Sequence, residues 1–378
     1  DRSTPIAYAQ APGRIHFLGG QGEPEANMYL SAAINRFINV TASMRKDNSF
    51  RFFALNLKER KRSTLANLKY KREDRWANHL KPAISMFIKL GYPMKGINFT
   101  FGGDIPQQIA LASSTAIEVA TATALRSLLR VQISDIDLAL KLKTSHDSMF
   151  EGTVLSNTSF ADYLVCIMAR KDQFLLIDNS AGEARLVKAP LTGFKILLVD
   201  SRVPRLGTGV EAEITSRQSD ILKGLELLSF KQKGLCFKDF APADLIEALG
   251  NFPEQIRRRS MHIVEEIHRV NDAAAALERC DLASFAKIIY HSHESLRDLY
   301  EISCPEIDWL VKRSQEIEGA AGSRMIGPGF GGCTYTIIRR ELVEEYKKRM
   351  EEYERIFGFR PVIYEIKLAA RAKIIKLN

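Results

Sequence analysis

The stretch GSRMIGPGFGGCTYTII, Gly322 to Ile338, packs glycines 327, 329, 331 and 332 around Pro328 and then runs directly into β-branched and aromatic residues. Glycines punctuate turns, and YTII has the composition of an ordinary strand. The same pattern also suits a backbone loop that comes close to another group, because a glycine has no Cβ to block the approach. Local sequence leaves both readings open, and the rest of the chain has to choose between them.

At 378 residues the chain exceeds the size of one small core, so two domains are expected. A hydrophobic content of 46% and a charged content of 26% are those of a folded globular protein. The longest apolar runs, such as FKILLVD from Phe194, have strand length and fall far short of a membrane span. The sequence starts at Asp1 with no visible signal peptide, which leaves room for a preceding segment. Five cysteines with no metal-site spacing read as reduced thiols in a cytoplasmic protein. The net charge of +9 comes from scattered runs, KERKR at Lys58 to Arg62, KYKRE near Lys69 and RRR at Arg257 to Arg259. These runs read as solvated faces rather than a nucleic-acid surface, and the balance also suits an anionic small ligand. Neither a nucleic-acid nor a membrane partner is expected.

Along the chain, AYAQAPGRIHFLGG and MYLSAAINRFINVTASMR read as strand, turn and strand, and GINFTFGGDIP as a further strand. A long helix is expected over Ser113 to Leu129, another over 135–152, and a third over 157–169 before the strand FLLID. The second half alternates long amphipathic helices, at 261–280, 281–300 and 341–358, with strands at YTII and PVIYEIKL. DIPQQIALASSTA leads from a strand into a helix start. Free backbone N–H groups, hydroxyls and a positive helix end gather there in the manner of a phosphate site. No Walker A pattern is present, which argues against a P-loop NTPase.

Four stretches, APGRIHFLGG, DIPQQIALASSTAIEVA, SHESLRDLYEISCPEIDWLV and RMIGPGFGGCTYTII, together resemble the GHMP family of small-molecule kinases, and within it the galactokinases. They occur in the family's order over residues 11–338, and FGFRPVIYEI near the end also fits. The resemblance implies an α+β fold of two GHMP-kinase-like domains, 1–190 and 191–378, with the active site in the cleft between them. It implies an ATP- and Mg2+-dependent sugar kinase, monomeric or weakly dimeric, with galactose as the leading substrate. Residue by residue, Asp162 falls in the place of the catalytic aspartate, which accepts the sugar hydroxyl's proton, and Arg14 in that of its partner arginine. Ala110, Leu111, Ala112, Ser113 and Ser114 match the phosphate loop, and Gly327, Gly329 and Gly331 match the third motif, which closes over the nucleotide. Ser114 and Asp147 take the places of the Mg2+ ligands.

The chain also departs from the family pattern. Gln108 and Ala110 replace phosphate-loop glycines, and Ala112 replaces a serine. The sugar-gripping Glu-His-Thr-Asp becomes Gly20-Gln21-Gly22-Glu23, and Ala212 stands for a sugar-contacting tyrosine. Gly20, Gln21, Glu23 and Ala212 are therefore the expected substrate contacts, in a pocket whose preference is altered. A kinase for a modified sugar such as a uronic acid, and a catalytically weak sugar-binding or sensing protein, are the alternative readings. Arg202 and Arg205 are the residues that would favour an acidic sugar if they reached the pocket.

Overall fold

The computed structural model describes residues 5–376, apart from 22–26, 108, 154, 156–157, 205–207, 232–233 and 248–251. The first half contains strands β1 (Ile6–Gly19), β2 (Met28–Met44), β3 (Ser49–Ala54), β4 (Glu59–Thr64), β5 (Ile97–Gly103), β6 (Gln173–Asp178) and β7 (Glu183–Lys188). Its helices are α1 (Lys81–Lys89), α2 (Ser113–Leu128), α3 (Asp135–Phe150) and α4 (Phe160–Met168). The second half has β8 (Phe194–Asp200), α5 (Thr208–Lys231), α6 (Pro242–Glu247), α7 (Glu254–Glu278), α8 (Leu282–Asp298) and α9 (Pro305–Gln315). It continues through β9 (Ala320–Ile326), β10 (Cys333–Arg339), α10 (Val343–Phe357), β11 (Val362–Ile366) and β12 (Lys373–Ile374). Among the described residues, no helix is long and apolar enough to cross a membrane.

The fold is α+β, with two sheets. One has eight strands in the order β12-β1-β2-β5-β3-β4, with β6 also paired to β2 and β7 to β6. The other is four-stranded, β11-β8-β10-β9, and antiparallel throughout. The first seven strands belong to the first sheet and β8 opens the second, but β12 crosses back to pair with β1. Residues 367–375 form a strap that is tied by backbone hydrogen bonds to Asn35, Ala33, Ala169, Cys166 and Tyr8. Helix α8 packs on β9 of the second sheet, while α7 packs on α8 and on β1, β2 and β7 of the first. The Tyr335 hydroxyl of β10 donates to the Phe17 carbonyl of β1 at 2.8 Å.

The strand β1 is irregular where function is expected. Its register against β2 slips between Pro12 and Gly13 and again between His16 and Leu18. Pro12 has no N–H for the ladder, and such slips re-aim side chains. Arg14 and His16 lie between the two slips, two residues apart on one face.

Of the basic runs, Lys58–Arg62 is a largely exposed face, as the sequence suggests, whereas Arg257–Arg259 is partly buried. The Lys58–Arg62 run leads from a turn into β4, at the edge of the first sheet. Arg259 is only 2% exposed and forms an ion pair with Asp220. Charge patterning shows neither pairing nor burial, so tertiary packing decides both.

The glycine loop joins β9 to β10 and opens no helix, so the G-x-G-x-x-G spacing of Gly327, Gly329 and Gly332 is no dinucleotide fingerprint. The loop is demanded largely by the protein itself. Gly329 has φ +101°, and a Cβ there would meet the Ile302 Cβ at 2.5 Å and the Ile302 carbonyl oxygen at 2.7 Å. The neighbouring Phe330 N–H donates to that same carbonyl at 2.8 Å. Gly329→Ala should therefore lose about 1–3 kcal/mol of unfolding free energy, from backbone strain and overpacking together. Denaturant melts check this, and an unchanged midpoint would refute the packing account.

Candidate active site

Helix α4 starts after Ser159, whose hydroxyl accepts from the Ala161 N–H at 3.2 Å. The segment 161–167 is buried and apolar apart from Asp162, which is 5% exposed in the first helical turn. A carboxylate there is favoured by the positive end of the helix. Arg14 Nε donates to Asp162 Oδ1 at 2.5 Å, and His16 Nε2 lies 2.9 Å from the same oxygen. Burial alone would push the Asp162 carboxyl up. The Arg14 charge and the donated hydrogen bonds outweigh it and hold the group well below the usual carboxylate range.

Burial, reinforced by the Arg14 charge, pushes the His16 imidazole down to about 4. The ring is thus neutral at pH 7. A carboxylate only accepts, so Nε2 carries the proton, and Nδ1 accepts from the Ser31 hydroxyl at 2.6 Å. Both donors converge on Oδ1. Oδ2 has no hydrogen-bond partner among the described residues and remains able to accept from a ligand hydroxyl.

Arg14 also fixes the loop that leads into α2, the candidate phosphate loop. Its NH1 donates to the Ala110 carbonyl at 2.6 Å, and its backbone N–H donates to the Leu111 carbonyl at 3.1 Å. Ala110 and Ala112 have φ of 61° and 56°. The loop thus keeps a left-handed backbone without glycine, and carries strain that glycine would avoid. Ala112 precedes α2, whose first residues are Ser113 and Ser114.

The Ser114 hydroxyl lies 3.4 Å from His79 Nε2. Deeper, Glu118 accepts from His146 Nδ1 at 2.8 Å and from the Tyr163 hydroxyl at 2.7 Å, while His146 Nε2 faces the Leu155 carbonyl at 2.8 Å. Both His146 nitrogens face acceptors. The ring is a buried imidazolium: burial lowers its proton affinity, but Glu118 more than restores it. This ion pair stands under the start of α2.

Asp147 sits near the end of α3 with Oδ2 held by Lys143 at 2.5 Å, while Oδ1 is buried with no hydrogen-bond partner among the described residues. No cluster of three or more His, Cys, Asp or Glu side chains is arranged for a metal among the described residues. Mg2+ commonly takes most of its ligands from phosphates and water. The orphaned Asp147 oxygen and the Ser114 hydroxyl therefore suit the small protein share of such a site.

A cavity of about 420 Å3 opens over Asp162. One side is formed by Arg14, His16, Gly20, Gln21 and Tyr29, the other by Ile214, Arg217, Arg324 and Gly327. Gly327 is thus the third-motif glycine that reaches it, while Gly331 packs against Val203. Glu23 lies outside the described residues. Ala212 is exposed and does not line the cavity, contrary to expectation. Ile214, Arg217 and Gln218 do, because positions 214, 217 and 218 share one helix face and a residue two earlier points away.

Sequence reading passed over His16, Tyr29, Arg217, Arg324 and Glu266. Gly19 N–H donates to Glu266 Oε1 at 2.9 Å, and Arg324 bridges Glu266 at 3.0 Å to Gln21 Oε1 at 3.1 Å. Of these, His16 was recoverable from its spacing to Arg14. Glu266 sits within an amphipathic helix, and nothing local marks it.

Residues 78–169 match the family model described as GHMP kinases N terminal domain, and residues 273–355 match GHMP kinases C terminal. A Treponema pallidum protein provisionally named galactokinase is 36% identical over 98% of this chain and 93% of its own length. The galactokinase of Roseiflexus sp. is 30% identical over 95% of this chain and 90% of its own. In fold, the crystal structure of Lactococcus lactis galactokinase complexed with galactose superposes with a TM-score of 0.90 at 22% identity, covering 97% of this chain and 95% of that one. The motifs, the architecture and this full-length similarity agree, and the chain belongs to the GHMP kinase family.

Proposed function

We propose that the protein transfers the γ-phosphoryl group of ATP to a sugar hydroxyl, with galactose, phosphorylated at its anomeric hydroxyl, as the leading substrate. The observation that carries this reading is the Asp162 carboxylate at the cavity, held on Oδ1 by Arg14 and His16 and open on Oδ2. A sugar hydroxyl donating to Oδ2 would be oriented toward a phosphate seated at the start of α2. The depressed proton affinity of Asp162 makes it a weak base, so its main work is orientation, with the proton moving late as the phosphorus–oxygen bond forms. Arg14 sits between this carboxylate and the phosphate loop, where it can offset charge on the transferred group. Mg2+, bound with the nucleotide and touched by Ser114 and Asp147, would supply further neutralisation of phosphate charge.

A neutral sugar is favoured over an acidic one by the state of the cavity arginines. Arg217 donates to the Tyr300 and Glu301 carbonyls and to Glu213. Arg324 is committed to Ser292, the Met325 carbonyl, Gln21 and Glu266. Arg202 is half-exposed and pairs with Asp200, and Arg205 lies outside the described residues. Because Gln21 Oε1 accepts from Arg324, the Gln21 amide offers its N–H groups to the cavity. A panel of galactose, galacturonate, glucose, fucose and N-acetylgalactosamine tests the substrate. We expect galactose to give the highest kcat/KM and galacturonate to fall at least about tenfold lower, a modest step for one charged group. A tenfold preference for any other sugar would replace galactose as the substrate.

The catalytic pair has its own test. Asp162→Asn should lower kcat by roughly 10²–10⁴-fold with smaller changes in KM. The acid limb of kcat/KM should lie near pH 4, where His16 protonates, and His16→Asn should remove that limb while keeping a donor to Asp162. Stability moves differently. The unfolded chain takes up the His16 proton near 6.5 and the folded protein only near 4, so stability declines as pH falls through that window. Full turnover in Asp162→Asn would place the chemistry elsewhere.

On the ATP side, Ala110→Gly and Ala112→Gly should remove left-handed strain of about 1–2 kcal/mol each, less about 0.4–1 kcal/mol of added unfolded-chain entropy. We expect unchanged or higher melting temperatures and a lower KM for ATP. A raised KM in both variants would show that the methyl groups serve the loop.

A further inference from the structure

A second cavity, of about 770 Å3, opens between the end of α2, the start of α3 and the strap. None of its lining residues lines the active-site cavity. Four cations border it, Arg126, Arg130, Arg371 and Lys373, against one acid, Asp135. Arg126 and Arg371 both donate to Asp135, one to each carboxylate oxygen. Arg130 and Lys373 are exposed and form no ion pair among the described residues. The groove therefore holds a surplus of three positive charges around a concave space.

Arg130 adds an independent observation. It ends α2 in the left-handed conformation, φ 54°, with its N–H on the Ser127 carbonyl at 3.2 Å and the Val131 N–H on the Arg126 carbonyl at 2.9 Å. That hydrogen-bond pattern is a helix-ending motif in which glycine is the unstrained residue. A long cationic side chain at a strained position on the rim of a basic groove points to a use for the side chain.

The strap connects this groove to the active site. The Arg371 and Ala372 N–H groups donate to the Ala169 and Cys166 carbonyls at the end of α4, at 2.9 and 2.7 Å. Lys373 and Ile374 pair with Gln10 and Ala9 of β1. The groove thus touches the far ends of the two helices whose first turns carry Ser114 and Asp162, and the strand that carries Arg14.

We propose that this groove is a binding site for a small phosphorylated metabolite carrying at least two negative charges, and that occupancy tightens the strap. Guanidinium groups at its edge suit phosphate oxygens, and net positive charge in a concave site concentrates such anions.

Pyrophosphate is the probe, titrated calorimetrically into the full chain, into Arg130→Gly/Lys373→Ser, and into Lys58→Ser/Arg60→Ser, which removes the same charge elsewhere. The wild type should show a binding event that the groove variant weakens at least tenfold and the control retains. Hydrogen exchange over 367–375 should slow on adding pyrophosphate to the wild type but not to the groove variant. Arg130→Gly alone should melt at the same or a higher temperature while binding pyrophosphate more weakly. Equal binding in wild type and groove variant would place the anion at the phosphate loop alone and overturn the proposal. Equal loss in the control would mean general charge attraction, and equal affinity for citrate would remove the preference for phosphate. A lower melting temperature for Arg130→Gly would mean that the arginine serves the fold, which would also overturn it.

Discussion

The candidate active site is organised around one guanidinium. Arg14 reaches the Asp162 carboxylate with Nε and the Ala110 carbonyl with NH1, while its backbone N–H holds the Leu111 carbonyl. Three segments distant in sequence, β1, the phosphate loop and α4, are thereby fixed relative to each other. A buried carboxylate such as Asp162 is tolerable only while a cation and donors surround it. The interaction that aims this carboxylate at the cavity is thus the same one that makes its burial possible. The register slips flanking Arg14 and His16 let a strand place two adjacent same-face residues around a single oxygen.

Across the cavity, a second charged network, Glu266 with Arg324 and Arg269, holds the Gly19–Gln21 turn against the second half of the molecule. Burial pushes Glu266 up, but the two arginines prevail and keep it ionised. With Glu265 also paired to Arg269, both networks balance acid against arginine, so the cavity has strong local fields with little net charge to offer a ligand. Selectivity in such a pocket comes from where donors and acceptors point. That differs from the groove at the strap, where cations outnumber acids and charge itself is available.

Much of this was legible in the sequence because it is periodic. The helices over Ser113 to Leu129, 135–152 and 281–300 and the strands at FLLID and YTII fall close to where apolar spacing puts them. The hairpin of β3 and β4 was hidden, since KERKR reads as a charge run while edge strands tolerate alternating charges. Helix α5 was also hidden, and with it the phase that brings Ile214 rather than Ala212 to the cavity wall. The two halves of the Arg14–Asp162 pair lie 148 residues apart, and only the family resemblance connected them. The strain at Ala112 could not be read at all, because alanine carries no signal for left-handed backbone, and at Ala110 only the glycine of the family pattern hinted at it.

The returning strand has a consequence for how the molecule assembles. β12 pairs with β1 across more than 360 residues of intervening chain, and the strap also donates to the carbonyls at the end of α4. The first sheet therefore cannot reach its final edge while the later helices and the second sheet are still forming. Contacts of such long sequence separation form late and slowly, because loop closure is costly before they reward it. During synthesis, β1 would wait with an open edge, exposed to mispairing, until nearly all the rest of the chain had emerged.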